Sequence, residues 1–404
     1  MTDEPGKLTR TFLSPAMKRA NALVAAWMKD AGLKVRVDSV GNLIGRLEAR
    51  QRSSLNTSHL EPKTLILGSH LDTVRDAGKF DGPLGVLLPV VALAELKRRG
   101  IALPFHVEVI GFSEEEGVRF ASAYLGSKGY CGKLTAADLA MRDAEGISVG
   151  DALRKFTNGK FSLPEPAHKR SDLLGYVEAH IEQGPVLEAE KLSVGVVSAI
   201  AGQSRFKLTW TGQAGHAGTT PMNLRRDALA GVAEFAVGVE AIARRTPGLV
   251  ATIGSVIVSP GAANVIPGQV VHTLDVRHAR DSVRRAALMQ IGRLATRIAD
   301  ERRLTRRWQR TQENGAVGCA PKLTATLARS VQAVQGKSIS LVSGAGHDAV
   351  VLSSLAPVAL LFVRTRDGLS HHPDEFTSAR DLDVALRVMI DFLERLAAEN
   401  LDNR

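Results

Sequence analysis

Acids and imidazoles in this chain gather beside glycine and proline at a few points. GSHLDTVRDAGKFDGPLG carries His70, Asp72 and Asp81, and GFSEEEGVRF carries Glu114, Glu115 and Glu116. VEAHIEQGP adds His180, and DGLSHHPDEF adds His371 and His372. Each acidic cluster directly follows a segment that reads as a strand. In open α/β sheets ligands bind at the carboxyl ends of strands, so both clusters are expected at one sheet edge. Four or five acids converging there would repel, and burying them unpaired is costly. A divalent cation resolves that conflict. Three imidazoles and two carboxylates, one of them shared, fit a pair of zinc-like ions about 3.5 Å apart. A carboxylate left over beside the pair can act as general base toward water. Taken singly, each histidine reads more readily as structural and each acid as a loop charge. Taken as a set, His70, Asp81, Glu115, Glu116, His180 and His371 favour the metal reading.

The elements that position these residues alternate. SPAMKRANALVAAWMKDAG reads as a helix capped by Ser14, with Pro15 in its first turn, Gly32 at its end, and Met17, Leu23 or Val24, Trp27 and Met28 on one buried face. LKVRVDSVGNLIGRLE reads as a hairpin and TLILGSH as a strand. DGPLGVLLPVVALAELKRRG then reads as a helix and LPFHVEVIGFS as another strand. That order is a βαβ unit and predicts an α/β fold with a mostly parallel sheet. From about Ser204 the texture changes. RFKLTWTGQ, Leu224–Arg245, LVATIGSVIVS, QVVHTLDVRH, Asp281–Arg302 and RRLTRRWQR give a β-α-β-β-α-β order, as in a small ferredoxin-like insert. The α/β texture then resumes with KLTATLARSVQAVQG, PVALLFVR and ALRVMIDFLERLAAE. The expected division is residues 1–202 and 316–404 for the first domain and 203–315 for the insert.

A chain of 404 residues exceeds what one core usually holds, which agrees with two domains. The 44% hydrophobic and 23% charged fractions exclude disorder and coiled coil. No run of 18 apolar residues suggests a membrane span. The start, MTDEPGKLTR, lacks a basic stretch followed by an apolar one, so a cytoplasmic protein is expected. Cys131 and Cys319 do not suggest a disulfide framework. The net charge of +10 and the stretch ERRLTRRWQR, with Arg302, Arg303, Arg306, Arg307 and Arg310, raise nucleic-acid binding. Aromatics are only 4%, other charges are dispersed and no nucleic-acid motif occurs, so a solvated element is the better reading.

The motifs in order, GSHLDTV, FDGPLGVL, SEEEGVRF, HIEQGPVLE, GQAGHAGTTPM, NVIPG, DVRH, SGAGHDA and GLSHHPDEF, resemble the dinuclear-metal clan of aminoacylases and carboxypeptidase G. Within it the chain is similar to the branch of N-carbamoyl-L-amino-acid hydrolases, allantoate amidohydrolases and β-ureidopropionases. The likeness runs from Lys7 almost to the C-terminus. It implies a zinc-peptidase-like catalytic domain interrupted by a ferredoxin-like dimerisation (lid) domain, and a homodimer through that insert. It implies hydrolysis of the ureido C–N bond of a small carboxylate, with two divalent ions (zinc, manganese, cobalt or nickel) per subunit.

By the same resemblance His70, Asp81 and His180 hold one ion and Asp81, Glu116 and His371 the other, with Asp81 bridging. Peptidase relatives carry glutamate at the position of His180, so this histidine marks the ureido branch over dipeptidases and aminoacylases. Glu115 is the implied general base, and Asp72 orients His70. His216 in the insert is implied to stabilise the oxyanion, in relatives from a neighbouring subunit. Arg277 is implied to hold the substrate carboxylate bidentately, with Asn264 and Gln183 bonding polar groups and Gly346 offering backbone. His347 and Asp348 are expected to support the site, and His59, His106, His168, His272 and His278 to be structural. Three departures are noted. Relatives usually carry a further helix before GKLTR, and with the short start here an exposed core edge or a misplaced start is the expectation. Ala77 stands where glycine is common, and His372 beside His371 competes for the ligand role.

Overall fold

The computed structural model describes residues 1–50 and 61–402, so His59 lies outside the described residues. The chain forms two compact units, Met1–Ser198 with Cys319–Arg404, and Ala199–Gly318. Helix α1 (Pro15–Asp30) opens the first, its end fixed by the Ser14 side chain, which accepts the Met17 N–H. Ala16, Met17, Ala20, Val24 and Met28 form its buried face. Trp27, expected on that face, is 43% exposed, and Leu23 is exposed as well. One residue is about 100° on a helix, so Trp27 cannot share the direction of Met28. Strands β1 (Lys34–Val37) and β2 (Leu43–Leu47) form the antiparallel hairpin. Then follow β3 (Thr64–His70), α2 (Pro83–Arg98), β4 (His106–Phe112), the helices α3 (Leu125–Tyr130), α4 (Ala136–Ala140) and α5 (Val149–Phe156), β5 (Leu173–Ile181), α6 (Val186–Ala189) and β6 (Val194–Ile200).

The second unit is built from β7 (Gly202–Thr211), β8 (Gly215–His216), α7 (Ala228–Arg245), β9 (Val250–Thr252), β10 (Val256–Ser259), β11 (Val265–Ile266), β12 (Gln269–His278), α8 (Asp281–Glu301), β13 (Thr305–Asn314) and β14 (Val317–Gly318). Its sheet order is β10-β12-β7-β13, with β9 also on β12. Helix α7 begins at Ala228 rather than Leu224, because the Asp227 side chain accepts the N–H groups of Leu229 and Ala230 and caps it there. LVATIGSVIVS, expected as one strand, is two. Thr252 pairs Asp275 while Val256 pairs His272, so one extra residue bulges between them. Trp210, Phe235, Val270, Ile291 and Ile298 fill the core of this unit. Buried Arg284 ties α8 to β13 and β7 through Asp281, Glu313 and Ser204. Of the basic stretch, Arg302 pairs with Glu234 and Arg303 donates to the Asn223 carbonyl.

The first unit resumes with α9 (Pro321–Gln335), β15 (Ser340–Ser343), α10 (Ala349–Leu352), β16 (Val358–Val363) and α11 (Ala379–Asp402). Its sheet is mixed, in the order β1-β2-β4-β3-β5-β16-β6, with β15 beside β6. The central pairs β4-β3, β3-β5 and β5-β16 are parallel. Every residue of β3 and β16 is buried, as strands covered on both faces require. Leu93, Leu327, Met389 and Phe392 pack α2, α9 and α11 together over the sheet. Cys131 and Cys319 are free thiols. No described helix is long and apolar enough to cross a membrane.

Helix α2 lies hard against the sheet because Gly85 has no side chain. A Cβ there would stand 2.2 Å from the Ala179 carbonyl oxygen and 2.6 Å from the Ser69 Cβ. Gly292, inside α8, has nothing within 4 Å of the same position. Gly85→Ala is expected to destabilise by about 2 kcal/mol or more through overpacking. Gly292→Ala should add about 0.5–1 kcal/mol by helix propensity. Denaturant midpoints of the two variants measure this, and a Gly85→Ala protein as stable as its parent would contradict the packing.

Candidate metal centre

The pairing register brings the clusters together. His70, the last residue of β3, sits opposite Phe112, the last of β4, so the Glu114–Glu116 turn begins beside it. His180 lies at the same end of β5. Asp81 precedes α2, whose approach Gly82 makes possible. Gly82 has φ +80°, and a Cβ on it would stand 2.4 Å from the His70 ring. His371 arrives from the loop after β16 with φ +57°, a strained value for a non-glycine residue.

The two oxygens of Asp81 face different partners. Oδ1 lies 3.3 Å from His70 Nε2 and 3.2 Å from His180 Nε2. Oδ2 lies 3.3 Å from His371 Nε2, which is itself 3.5 Å from Glu116 Oε1. Three donor sets result, His70–Asp81–His180, Asp81–Glu116–His371 and His70–Glu115–Glu116, with the donor atoms of each within 4.8 Å of one another. Imidazole with carboxylate suits zinc, manganese, cobalt or nickel. Backbone carbonyls set the ring orientations. His70 Nδ1 is 3.0 Å from the Asp72 main-chain oxygen and His180 Nδ1 is 2.9 Å from the Ile181 oxygen, so each Nδ1–H donates there and turns Nε2 toward Asp81, the nitrogen that can bind a cation once it has lost its proton. The Asp72 carboxylate accepts the backbone N–H groups of Glu115 and Glu116 at 3.0–3.1 Å, fixing the acidic turn to the His70 loop.

Burial and mutual repulsion dominate the electrostatics. Burial first, then Glu116, Asp348 and Asp72, push Glu115 well above the usual carboxylate range, opposed by His70. Burial and Asp72 do the same to Glu114. Glu116 is pushed up to about 7, by burial and then Asp81, against His70 and His371. Asp81 goes the other way, well down, because His180, His371 and His70 outweigh its burial. The His70 and His180 rings are raised in spite of burial, His70 by Asp72 and Asp81 and His180 by Asp81. All the proposed donors but Asp81 thus favour protons where a dication would bind, and the donor set fits such an ion.

Other expected residues fall in varied places. His372 is turned away, its Nδ1 accepting the Asp374 N–H, so His371 faces the cluster alone. Gln183, expected on substrate, donates its amide to Asp81 Oδ2 at 2.8 Å and to Ser370 at 3.1 Å. Gly346 lies against the Tyr124 hydroxyl. His347 Nε2 is 2.8 Å from the Ser343 hydroxyl, and its ring stacks edge-on with His180 at 4.5 Å. Burial and the neighbouring His180 push its pKa well down. Asp348 is fully buried behind it. His106 meets Glu48, His168 meets Glu108, His272 accepts the Trp210 N–H, and His278 bonds the Pro247 carbonyl. Ala77 donates its N–H to Leu8.

In the second unit, His216 pairs Val265 across β8 and β11, and the Asn264 carbonyl accepts the Ala217 N–H. Arg277 grips Asp275 with two N–H donors at 3.0 and 2.9 Å, the fork expected for a substrate carboxylate. Sequence reasoning passed over Glu375 and Ser370. Buried Glu375 accepts the backbone N–H of Phe80 and Asp81, and the Ser370 hydroxyl donates to Asp81 Oδ2 at 2.7 Å with Glu375 Oε2 3.1 Å away. The signal was their place in GLSHHPDEF, beside the histidine already singled out.

Known proteins resemble this chain over nearly its whole length. The model of peptidase family M20/M25/M40 matches residues 66–395. An allantoate deiminase of Arabidopsis thaliana is 40% identical, over 98% of this chain and 79% of its own. An N-carbamoyl-L-amino acid amidohydrolase of Geobacillus stearothermophilus is 39% identical, over 97% of this chain and 94% of its own. The crystal structure of a hydantoinase/carbamoylase family amidase from Burkholderia multivorans superposes with a TM-score of 0.89 at 33% identity, covering 97% of this chain and 94% of that one.

A group whose folded-state pKa is raised holds a proton that the unfolded chain has released, so its stabilisation is lost as pH rises. For Glu116 that window runs from 4.5 to about 7. The chelated protein should therefore lose stability across this range more steeply than the metal-loaded one. Adding the ion near pH 6 should release protons, measurable by calorimetry in buffers of different ionisation enthalpy. Metal binding without proton release would contradict the account.

Proposed function

The chain belongs to peptidase family M20/M25/M40 and is a metal-dependent amidohydrolase, and we propose that it hydrolyses the ureido C–N bond of a small carboxylate. The substrate is an N-carbamoyl amino acid or allantoate, with ammonia and carbon dioxide released. The observation that carries this reading is Asp81, whose two carboxylate oxygens face separate imidazole sets. It supports two ions per subunit, one at His70, Asp81 and His180 and one at Asp81, Glu116 and His371. His180 in HIEQGP, together with the names of the relatives, supports ureido over peptide substrates.

Bound divalent ions supply Lewis-acid polarisation of the ureido carbonyl and make water more acidic. In this proposal Glu115 takes the proton from the attacking water and delivers it to the leaving nitrogen. A dication beside it opposes the burial and the acidic neighbours that now raise its pKa. Asp72 holds the base's backbone N–H with its carboxylate and the His70 ring with its main-chain carbonyl, so one residue aligns both. Glu375, Ser370 and Gln183 fix Asp81 from behind. In the second unit, His216, Asn264 and Arg277 carry the proposed roles of binding oxyanion, polar group and substrate carboxylate, and the unit is proposed to pair two subunits.

Ammonia release from N-carbamoyl amino acids and allantoate, with divalent metals varied, tests the reading; preference for N-acetyl amino acids would overturn it. Glu115→Gln should keep both ions and lower turnover about 100-fold or more, the scale for removing a general base. If it loses metal while Glu116→Gln keeps it, the two roles are exchanged. Asp81→Ala should lose both ions by elemental analysis, and full occupancy in that variant would refute a bridging carboxylate.

A further inference from the structure

Tyr124 belongs to no motif used above. It precedes α3 in the left-handed region, φ +69° and ψ +22°, which an aromatic residue rarely adopts. Its N–H donates to the Glu115 carbonyl at 3.2 Å, so the strained residue is tied to the proposed base. Its ring reaches across to the SGAGHDA loop. A Cβ added to Gly346 would stand 1.9 Å from the Tyr124 hydroxyl but 3.2 Å from the next ring atom. Gly346 thus lacks a side chain where this phenol lies. Among the described residues the hydroxyl has no hydrogen-bond partner.

The carboxyl groups that act on this phenol are those of Glu115, Asp348, Glu178 and Glu116. Burial and these carboxyls keep the phenol protonated. Beside these carboxyl groups the phenol oxygen, free of any partner among the described residues, can accept from a neutral group carrying N–H. The side chain is half-buried and so open to a small molecule. We propose that the Tyr124 hydroxyl hydrogen-bonds the terminal ureido nitrogen and thereby selects a carbamoyl over a formyl group. This rests on the ureido-hydrolase reading above.

Tyr124→Phe removes only the oxygen. With an N-carbamoyl amino acid, kcat/KM should fall about tenfold, the scale of one lost hydrogen bond. With the N-formyl derivative of the same amino acid, read as turnover or, failing turnover, as competitive inhibition, the change should stay within about twofold, because that compound lacks the terminal nitrogen. Metal content, thermal midpoint and the acid limb of the pH profile should not move. Equal losses on both compounds, no loss on either, or a shifted acid limb would overturn the inference, the last by placing the phenol on Glu115. Gly346→Ala should weaken the carbamoyl preference by pushing the phenol aside. In the Tyr124→Phe background the same alanine should add little, because the atom it strikes is gone. Additive losses would overturn the placement. A wild-type protein inactive on carbamoyl compounds contradicts the ureido reading, and this inference falls with it. Wild-type activity with an unchanged preference in the variant defeats this inference alone.

Discussion

Concentrated negative charge at one edge of a buried sheet is the constraint on which the rest depends. Asp72, Asp81, Glu114 and Glu115 are all at least nine-tenths buried, and Glu116 lies among them. Carboxylates packed so closely either hold protons or share a cation. In this protein the imbalance is graded. Asp81, surrounded by three imidazoles, keeps its charge, while Glu114, Glu115 and Glu116 are driven toward the neutral form. A dication reverses the second tendency without disturbing the first, so the same side chains that destabilise one another form a tight site.

The fold supplies the rigidity this arrangement needs. His70, the acidic turn and His180 leave three adjacent parallel strands at the same level, which places them within a few ångströms without any loop having to find its place. Helix α2 closes on the sheet at Gly85 and delivers Asp81 to the strand ends. His371 is the exception, coming from a loop with positive φ. Ser370 and Glu375 on either side of it bond to Asp81 or its backbone and hold that loop in place. The second ion's proposed site therefore rests on a less regular element than the first.

Much of this was legible in the sequence because the relevant signals are local. Strands buried on both faces appear as unbroken apolar runs such as TLILGSH and PVALLFV, and ligands beside strand ends appear as His or acid next to glycine. What was not legible depends on the approach of distant residues. Trp27 and Val24 are equally apolar, and only packing decides that Val24 turns inward. The bulge in LVATIGSVIVS exists only in its pairing with β12. The bond from the Gln183 amide to Asp81 joins residues 102 positions apart. Tyr124 and Gly346 meet across 222 positions, which no spacing rule anticipates.

The central claim is that the Asp81 carboxylate spans two cations. Anomalous diffraction from crystals of the manganese-loaded protein tests it directly. The account predicts two peaks of comparable height flanking Asp81, one beside His70 and His180 and the other beside Glu116 and His371. A single peak, or two peaks both lying away from Asp81, would contradict it.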